Sequence, residues 1–406
     1  MSDRWKILAF LCGICFVYTI DRALLGLLAI PIQTEIGLSD VRFGVLNSAV
    51  FWAFAALVPF SGIVGDRCDR RKVIGIATVL WSVMTLCAAF AGGFWTLLAL
   101  VSVAITVPQT LYGPSATALI ACHHQGTRTT ALSLHQAAFY AGWFASGVVV
   151  AVALNGFGSW RFAYAAMGII GILLGMAFLL CCRSTAGSAP VRERKPSIVS
   201  AVKAFVGLPS AILAAGAYVS LVFVAFAYGA WGPKFVALKF GLTPAAAGTG
   251  VMFWHYAASL AAILVAGCVT DCAVRRWPRF RLLLQVTSLT FAAPVLVLFG
   301  TSPSLVGVWT SAALFGVFRG LFEANVFTSL FDVVSEKYRA SSVGFFDVLA
   351  GSIGSLAPIG IGWLSDRYGV RGFEIGFSLL GVVLLFAAVL TAISLLFTYR
   401  KDCRKL

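Results

Sequence analysis

Two short clusters of ionisable residues lie inside long apolar runs. The first is Tyr18, Asp21 and Arg22. Asp21 and Arg22 fall three and four residues after Tyr18, so all three share one broad face of a helix. The second is Arg319, Glu323 and Asn325; Arg319 and Glu323 are four apart, stacked on one face and able to pair. An ionised side chain at the centre of an apolar layer costs at least about 2.5–3.5 kcal/mol on insertion scales, so it is retained with a partner and a task. A guanidinium presents donors that match both oxygens of a carboxylate. Arg22 and Arg319 are therefore the candidate holders of an anionic group. Asp21, Glu323 and a third carboxylate in an apolar run, Asp347, are the candidate proton carriers. His135 and His255 belong to the one side-chain type that ordinarily titrates near neutral pH, and join them as candidates. Asn47, Gln109, Tyr112, Gln136, Tyr228 and Trp254 are candidate wall residues of a binding cavity. For each charged pair the open alternative is an internal salt bridge that fixes packing, and for each histidine a hydrogen-bonded core position.

The elements that must carry these residues follow from composition. The chain has 406 residues, 60% hydrophobic and 11% charged. A soluble chain carries roughly 25% charged residues. Too little charge is present to cover a water-facing surface, which excludes a soluble two-domain enzyme and makes the lipid bilayer the chain's solvent. The net charge of +15 does not point to nucleic acid. Its basic residues sit in short clusters between apolar runs, as the bias toward basic cytoplasmic loops predicts. The ten cysteines form no disulfide framework, and Cys12 and Cys15 read as packing residues inside a helix.

A bilayer crossing needs about 20 apolar residues. That ruler predicts twelve spans, at 7–32, 43–65, 73–92, 95–121, 129–154, 161–182, 206–232, 244–269, 281–300, 305–331, 341–364 and 373–398. The apolar stretch after Met1 to Lys6 is too long for a signal-peptide core and reads as an uncleaved first span. With both termini cytoplasmic, 22 of the 30 Lys and Arg fall on that side. Arg42, Arg161, Lys234, Lys239, Arg367 and Arg371 fall on the other, and Arg22 and Arg319 within spans. The polar stretch 183–205 reads as a cytoplasmic linker between a six-helix bundle at 1–182 and another at 206–406. The halves repeat: Gly62, Asp66, Arg70 and Arg71 recur 205 residues later as Gly267, Asp271, Arg275 and Arg276.

With the loop from Gly62 through Asp66, Arg67, Arg70 and Arg71, its second-half echo, and Gly-Ser-Trp-Arg161 before the sixth span, the chain resembles a major facilitator superfamily transporter. Tyr18-Thr-Ile-Asp21-Arg22 and Ile36-Gly-Leu-Ser-Asp40 are similar to its anion:cation symporters, including sialic-acid and hexuronate carriers, and to spinster-like lipid carriers. Those groups usually place an Arg and a Glu seven apart in the fourth span, where this chain has Ser102 and Gln109. The resemblance implies an all-α fold of two pseudo-symmetric six-helix bundles. It also implies a gating charge network at Gly62, Asp66, Arg67, Arg70, Arg71, Asp271, Arg275 and Arg276, and a central cavity lined by spans 1, 4, 7 and 10. The two charged pairs, Asp21–Arg22 and Arg319–Glu323, would flank that cavity.

The resulting expectation is a monomeric secondary transporter of the cell inner membrane that couples a small organic anion, such as a sugar acid or sialic acid, to protons or Na⁺ by alternating access. It needs no cofactor and no metal. A spinster-like lysolipid carrier is the alternative within transport. An integral-membrane acyltransferase is the alternative from another class, and no Ser/His/Asp spacing, metal-ligand cluster or nucleotide loop supports it.

Overall fold

Lipid offers no water to satisfy backbone N–H and C=O groups, so an apolar chain has to close those bonds within its own helices. The computed structural model describes residues 3–124, 127–182, 198–274, 276–277 and 279–403. Within its helices, the side chains at 58–60, 62–67, 129, 198–199, 268, 271 and 340 also lie outside the described set. Among the described residues twelve helices are long and apolar enough to cross a membrane, and there is no strand. They are α1 Asp3–Leu27, α2 Asp40–Arg67, α3 Arg70–Ala88, α4 Phe94–His123, α5 Thr130–Gly156, α6 Trp160–Cys181, α7 Pro209–Phe240, α8 Pro244–Val274, α9 Phe280–Thr301, α10 Leu305–Phe331, α11 Glu336–Tyr368 and α12 Val370–Cys403. The twelve-span, all-α expectation holds.

Four local features add to it or depart from it. The first span stops at Leu27, and a separate helix, Ala29–Ile36, follows after Leu28 leaves helical geometry (φ −95, ψ 16). Gly37 closes that helix at φ 74, a left-handed cap that glycine adopts without a Cβ penalty. The seventh span runs on through Pro233 to Phe240, so Lys234 and Lys239, expected in an outer connection, lie on a helix. The expected linker ends in a short helix, Ile198–Val206, whose Phe205 ring packs 5.6 Å from Phe345 and 6.0 Å from Phe346. Inside α4 the segment Leu98–Ala104 is wound as a π-helix, with Ile105 N–H donating to Leu100 O at 2.9 Å. Pro108 follows and has no N–H to offer the Ala104 carbonyl, a usual cause of such irregularity.

The described chain forms two compact units. The first takes in α1 to α6 together with Gly229–Phe253; the second takes in Ile198 to Tyr228 and Trp254 onward. Within unit 1, α3 and α6 pair extensively, and a Cβ on Gly168 would stand 2.6 Å from the Leu86 backbone nitrogen. Within unit 2 the equivalent pair, α9 and α12, does the same, with Gly381 against the Ala293 carbonyl at 2.8 Å. The internal repeat thus recurs in packing as well as in loop sequence.

One polar knot braces unit 1. Arg161, the second residue of α6, donates to Glu35 Oε1 through Nε at 3.0 Å and Nη2 at 2.7 Å. Its Nη1 donates to the carbonyls of Ala89 and Ala91 at 2.7 and 2.9 Å. Trp160 Nε1 donates to the other Glu35 oxygen. These bonds from Arg161 hold the Glu35 carboxyl below the usual carboxylate range. Arg161→Met should lower stability by about 1–3 kcal/mol, toward the lower end because the pair is partly exposed. Glu35→Gln should cost less, since the bonds to Ala89 and Ala91 survive. Thermal unfolding of the purified variants checks this ordering, and equal losses contradict it. Because the folded-state carboxyl is depressed, its contribution is present above about pH 4.3 and lost as pH falls through the folded value.

Candidate functional site

In unit 1 the residues of the first charged cluster part company. Adjacent helical positions point about 100° apart, so Asp21 and Arg22 do not form the expected pair. Asp21 turns into the bundle and is 7% exposed. Its Oδ2 lies 3.5 Å from the Thr85 hydroxyl on α3, and its Oδ1 has no hydrogen-bond partner among the described residues. Arg22 instead donates through Nη1 to the Tyr18 hydroxyl at 3.2 Å. Its guanidinium carbon stands 5.7, 5.6 and 4.8 Å from the ring centroids of Tyr18, Phe51 and Phe54. Among the described residues no carboxylate pairs with it. Rings of this kind attract a cation through their negative faces, but they do not neutralise it.

Beside Arg22 stands an aromatic triangle of Tyr18, Trp81 and Tyr112, with centroids 5.6 to 6.1 Å apart. The Tyr112 hydroxyl lies 2.8 Å from the Leu11 carbonyl and 2.8 Å from His135 Nε2. A carbonyl only accepts, and the hydroxyl has one proton to give. When that proton goes to Leu11, His135 must carry its own on Nε2 and donate to the tyrosine. The triangle therefore fixes the tautomer of a buried histidine.

In unit 2 the second cluster closes as its spacing predicts. Arg319 Nε donates to Glu323 Oε1 at 2.8 Å. Its Nη1 donates to His255 Nε2 at 3.1 Å. A guanidinium has no acceptor, so that imidazole nitrogen is bare and the ring is neutral in this arrangement. Tyr228 and Phe315 pack on His255 at 4.8 and 5.0 Å, and Arg319 also lies over Tyr256. Asp347 Oδ1 accepts from the Tyr218 hydroxyl at 3.4 Å.

The remaining sequence candidates scatter. Gln109 is buried, and its Nε2 has no partner among the described residues. Asn47 and Asn325 donate to carbonyls of their own helices, Phe43 and Leu321. Gln136 and Trp254 are exposed. Of the loop motif, Arg70 Nη1 reaches Cys122 Sγ at 3.6 Å, and the Arg71 guanidinium donates to the Leu179 carbonyl on α6. Arg276 is exposed. Of Gly62, Asp66, Arg67 and Asp271 only the backbone is described, and Arg275 lies outside the described residues. Sequence reasoning did not single out Phe51, Phe54, Thr85, Tyr218 or Tyr256. The three-residue spacing of Phe51 and Phe54, which places both on one face, was the available signal for that pair.

Residues 10–358 match the family model of the Major Facilitator Superfamily. The chain is 26% identical over 236 residues to Protein spinster homolog 3 of Danio rerio, covering 56% of this chain and 47% of that protein. It therefore spans about half the length of that curated relative. It is 22% identical over 407 residues to the Hexuronate transporter of Bacillus subtilis, covering 96% and 94% of the two chains. Among solved structures it is similar to a bacterial homolog of the human lysosomal transporter Spinster, in an inward-facing and unoccupied conformation (TM-score 0.86, 19% identity, 99% and 98% coverage). It is also similar to a D-xylose-proton symporter (TM-score 0.74, 15% identity, 96% of each chain). These structural likenesses carry the fold.

The hydroxyl accounting around Tyr112 is directly testable. Tyr112→Phe leaves the Leu11 carbonyl and His135 Nε2 unpaired and should cost about 1–3 kcal/mol in thermal unfolding. His135→Ala should then cost less in that background than alone, because the bond it removes has already gone. Additive losses would contradict the arrangement.

Proposed function

Since the chain belongs to the Major Facilitator Superfamily, and is accordingly a multi-pass transporter with twelve spans, we propose that it is a proton-coupled symporter whose organic-anion substrate docks on Arg22. The observation that carries this is the state of that guanidinium, framed by Tyr18, Phe51 and Phe54 and paired with no carboxylate among the described residues. An anion brought to it supplies the opposite charge that the protein leaves out. Arg319 is the second anion-holding candidate, and there the substrate has to compete with Glu323 and His255.

Asp21 is the proton carrier in this reading. It sits beside Arg22 in sequence, yet one turn of the side chain away from its charge, so it exchanges a proton without breaking an ion pair. Glu323 and Asp347 are the alternatives, with the two histidines behind them, and Na⁺ remains the alternative ion. Sugar acids are the proposed substrate class, in keeping with the near full-length similarity to the Hexuronate transporter of Bacillus subtilis. A second reading, an anionic lipid carrier, is favoured by the apolar rings around Arg22 and by the similarity to Protein spinster homolog 3. The six-helix bundles at 1–182 and 206–406, joined by 183–205, would rock about the site, with the Asp66 to Arg71 loop and its echo as the gate. We place the protein in the cell inner membrane as a monomer, both termini cytoplasmic.

Two variants test the assignment in reconstituted vesicles. Arg22→Lys keeps the charge and loses the planar fork, so substrate affinity should fall about tenfold or more. Asp21→Asn should abolish uptake driven by a pH gradient while substrate exchange continues, since exchange needs no net proton release. Gradient-driven uptake persisting in Asp21→Asn, and lost instead in Glu323→Gln or Asp347→Asn, moves the proton to that residue. Screening hexuronates against lysophospholipids by thermal shift separates the two substrate classes, because a bound ligand stabilises by RT ln(1 + [L]/Kd).

A further inference from the structure

A small cavity lies within unit 2, where the first turn of α7, the start of α9, the end of α10 and the last part of α12 meet. It encloses about 10 Å³, close to the room that one water or one small ion needs. Six polar side chains line it: Ser210, Gln285, Ser329, Thr391, Ser394 and Tyr399. All six are buried. The 205-residue offset of the repeat sets Ser210 and Ser329 against Trp5 and His124, whose rings pack 4.9 Å apart in unit 1. Where unit 1 has two rings, unit 2 has two small hydroxyls.

The hydroxyl protons of this lining are already engaged. Ser210 Oγ donates to Thr398 Oγ1 at 2.8 Å, and Thr391 Oγ1 to the Ala387 carbonyl at 2.9 Å. Ser329 Oγ donates to the Val326 carbonyl at 2.9 Å while accepting from Gln285 Nε2 at 3.0 Å. The Tyr399 hydroxyl donates to Asp332 Oδ2 at 2.7 Å. A hydroxyl has one proton and two lone pairs, so these four oxygens can offer a guest only acceptance. The carbonyl oxygen of Gln285 is an acceptor by nature. A water has two protons for such oxygens, but its own lone pairs find no proton on these four hydroxyls. A hard cation takes oxygen ligands and needs no donor in return. Negative charge also backs the wall. Asp332 stands behind Tyr399, and Asp402, 2% exposed, accepts from the Ser210 N–H at 3.0 Å. Arg281 pairs with Asp332 at 3.0 Å and moderates the first of these charges. The α12 side is irregular at the same place: Ser394–Thr398 is wound as a π-helix, a distortion that recurs at functional sites.

We propose that this cavity binds one monovalent cation of Na⁺ size, held by the hydroxyl oxygens of Ser210, Ser329, Thr391 and Ser394 and the carbonyl oxygen of Gln285. The ion ties the start of α7 to α9, α10 and α12 and so stabilises unit 2. The larger K⁺ fits less well in so small a space. The site shares no residue with Arg22, Asp21 or the Arg319, Glu323 and His255 set, and it is distinct from any ion that drives transport.

The test is thermal unfolding of the purified full-length protein in detergent, in sodium, potassium or choline chloride at equal ionic strength and pH. Sodium should raise the midpoint over choline by about 2–4 °C and saturate, with potassium giving less. Thr391→Val and Ser210→Ala should each remove most of that increment. Thr391→Ser, which keeps the oxygen, should retain it, and so should Asp21→Asn. One midpoint in all three salts means that the cavity holds water only, and overturns the proposal. So does an increment that survives in full in Thr391→Val and Ser210→Ala. An increment lost in Asp21→Asn but kept in Thr391→Val puts the ion at Asp21, and overturns it too. The comparison of salts on the parent chain decides the matter even where a variant fails to fold. Neither the organic anion nor a proton gradient enters the measurement, so its failure is distinct from failure of the organic-anion reading.

Discussion

A charge held among apolar helices must be matched by hydrogen bonds or an opposite charge, and the rest of this structure is arranged around those matches. Arg161 is matched by Glu35 and two backbone carbonyls, and it thereby ties the start of α6 to the ends of two other elements. Lys234 is matched by Asp40 and Gln33, and it anchors a helix that unit 2 begins. Arg319 is matched by Glu323 and a neutral His255. Arg22 has a hydroxyl and three rings around it. The first two cations have their opposite charge and hydrogen bonds within the fold. Arg22 has the environment of a group that awaits a partner, and the anion-transport account rests on that contrast.

The two ionisable clusters also divide the chemistry. In unit 2 the guanidinium, the carboxylate and the imidazole occupy one another, so freeing any of them means disturbing a bonded set. In unit 1 the carboxylate and the guanidinium lie next to each other in sequence but face different neighbours, Thr85 for Asp21 and the Phe51 and Phe54 rings for Arg22. In the proposed reading, proton and anion are handled at these adjacent positions without direct competition, and their coupling runs through the helix that carries both.

Much of this was legible in the sequence because it is local. Twelve apolar runs of bilayer length gave the twelve helices, and the spacing of Arg319 and Glu323 gave their bond. The 205-residue repeat reappears as matching pairs, α3 with α6 and α9 with α12. What could not be read is set by contacts between distant segments. Nothing near Lys234 announces Asp40, and a span ending at 232 left the lysine in an outer connection, whereas the helix runs on to Phe240 and carries it to the ion pair. Asp21 and Arg22 looked like a pair because they are neighbours, whereas helix geometry turns them apart. Thr85 carried no signal, since a threonine hydroxyl in an apolar span more often bonds its own helix, and Tyr218 carried none because its partner Asp347 is 129 residues away.

The central claim is that anion binding at Arg22 and protonation at Asp21 are linked. Calorimetric titration of the purified protein, with the organic anion that stabilises it most, tests this when repeated in buffers of different ionisation enthalpy. The account predicts that binding takes up about one proton per anion between about pH 5 and 8 and that Asp21→Asn binds the anion with no uptake. Binding by the parent chain with no proton uptake anywhere in that range would contradict it.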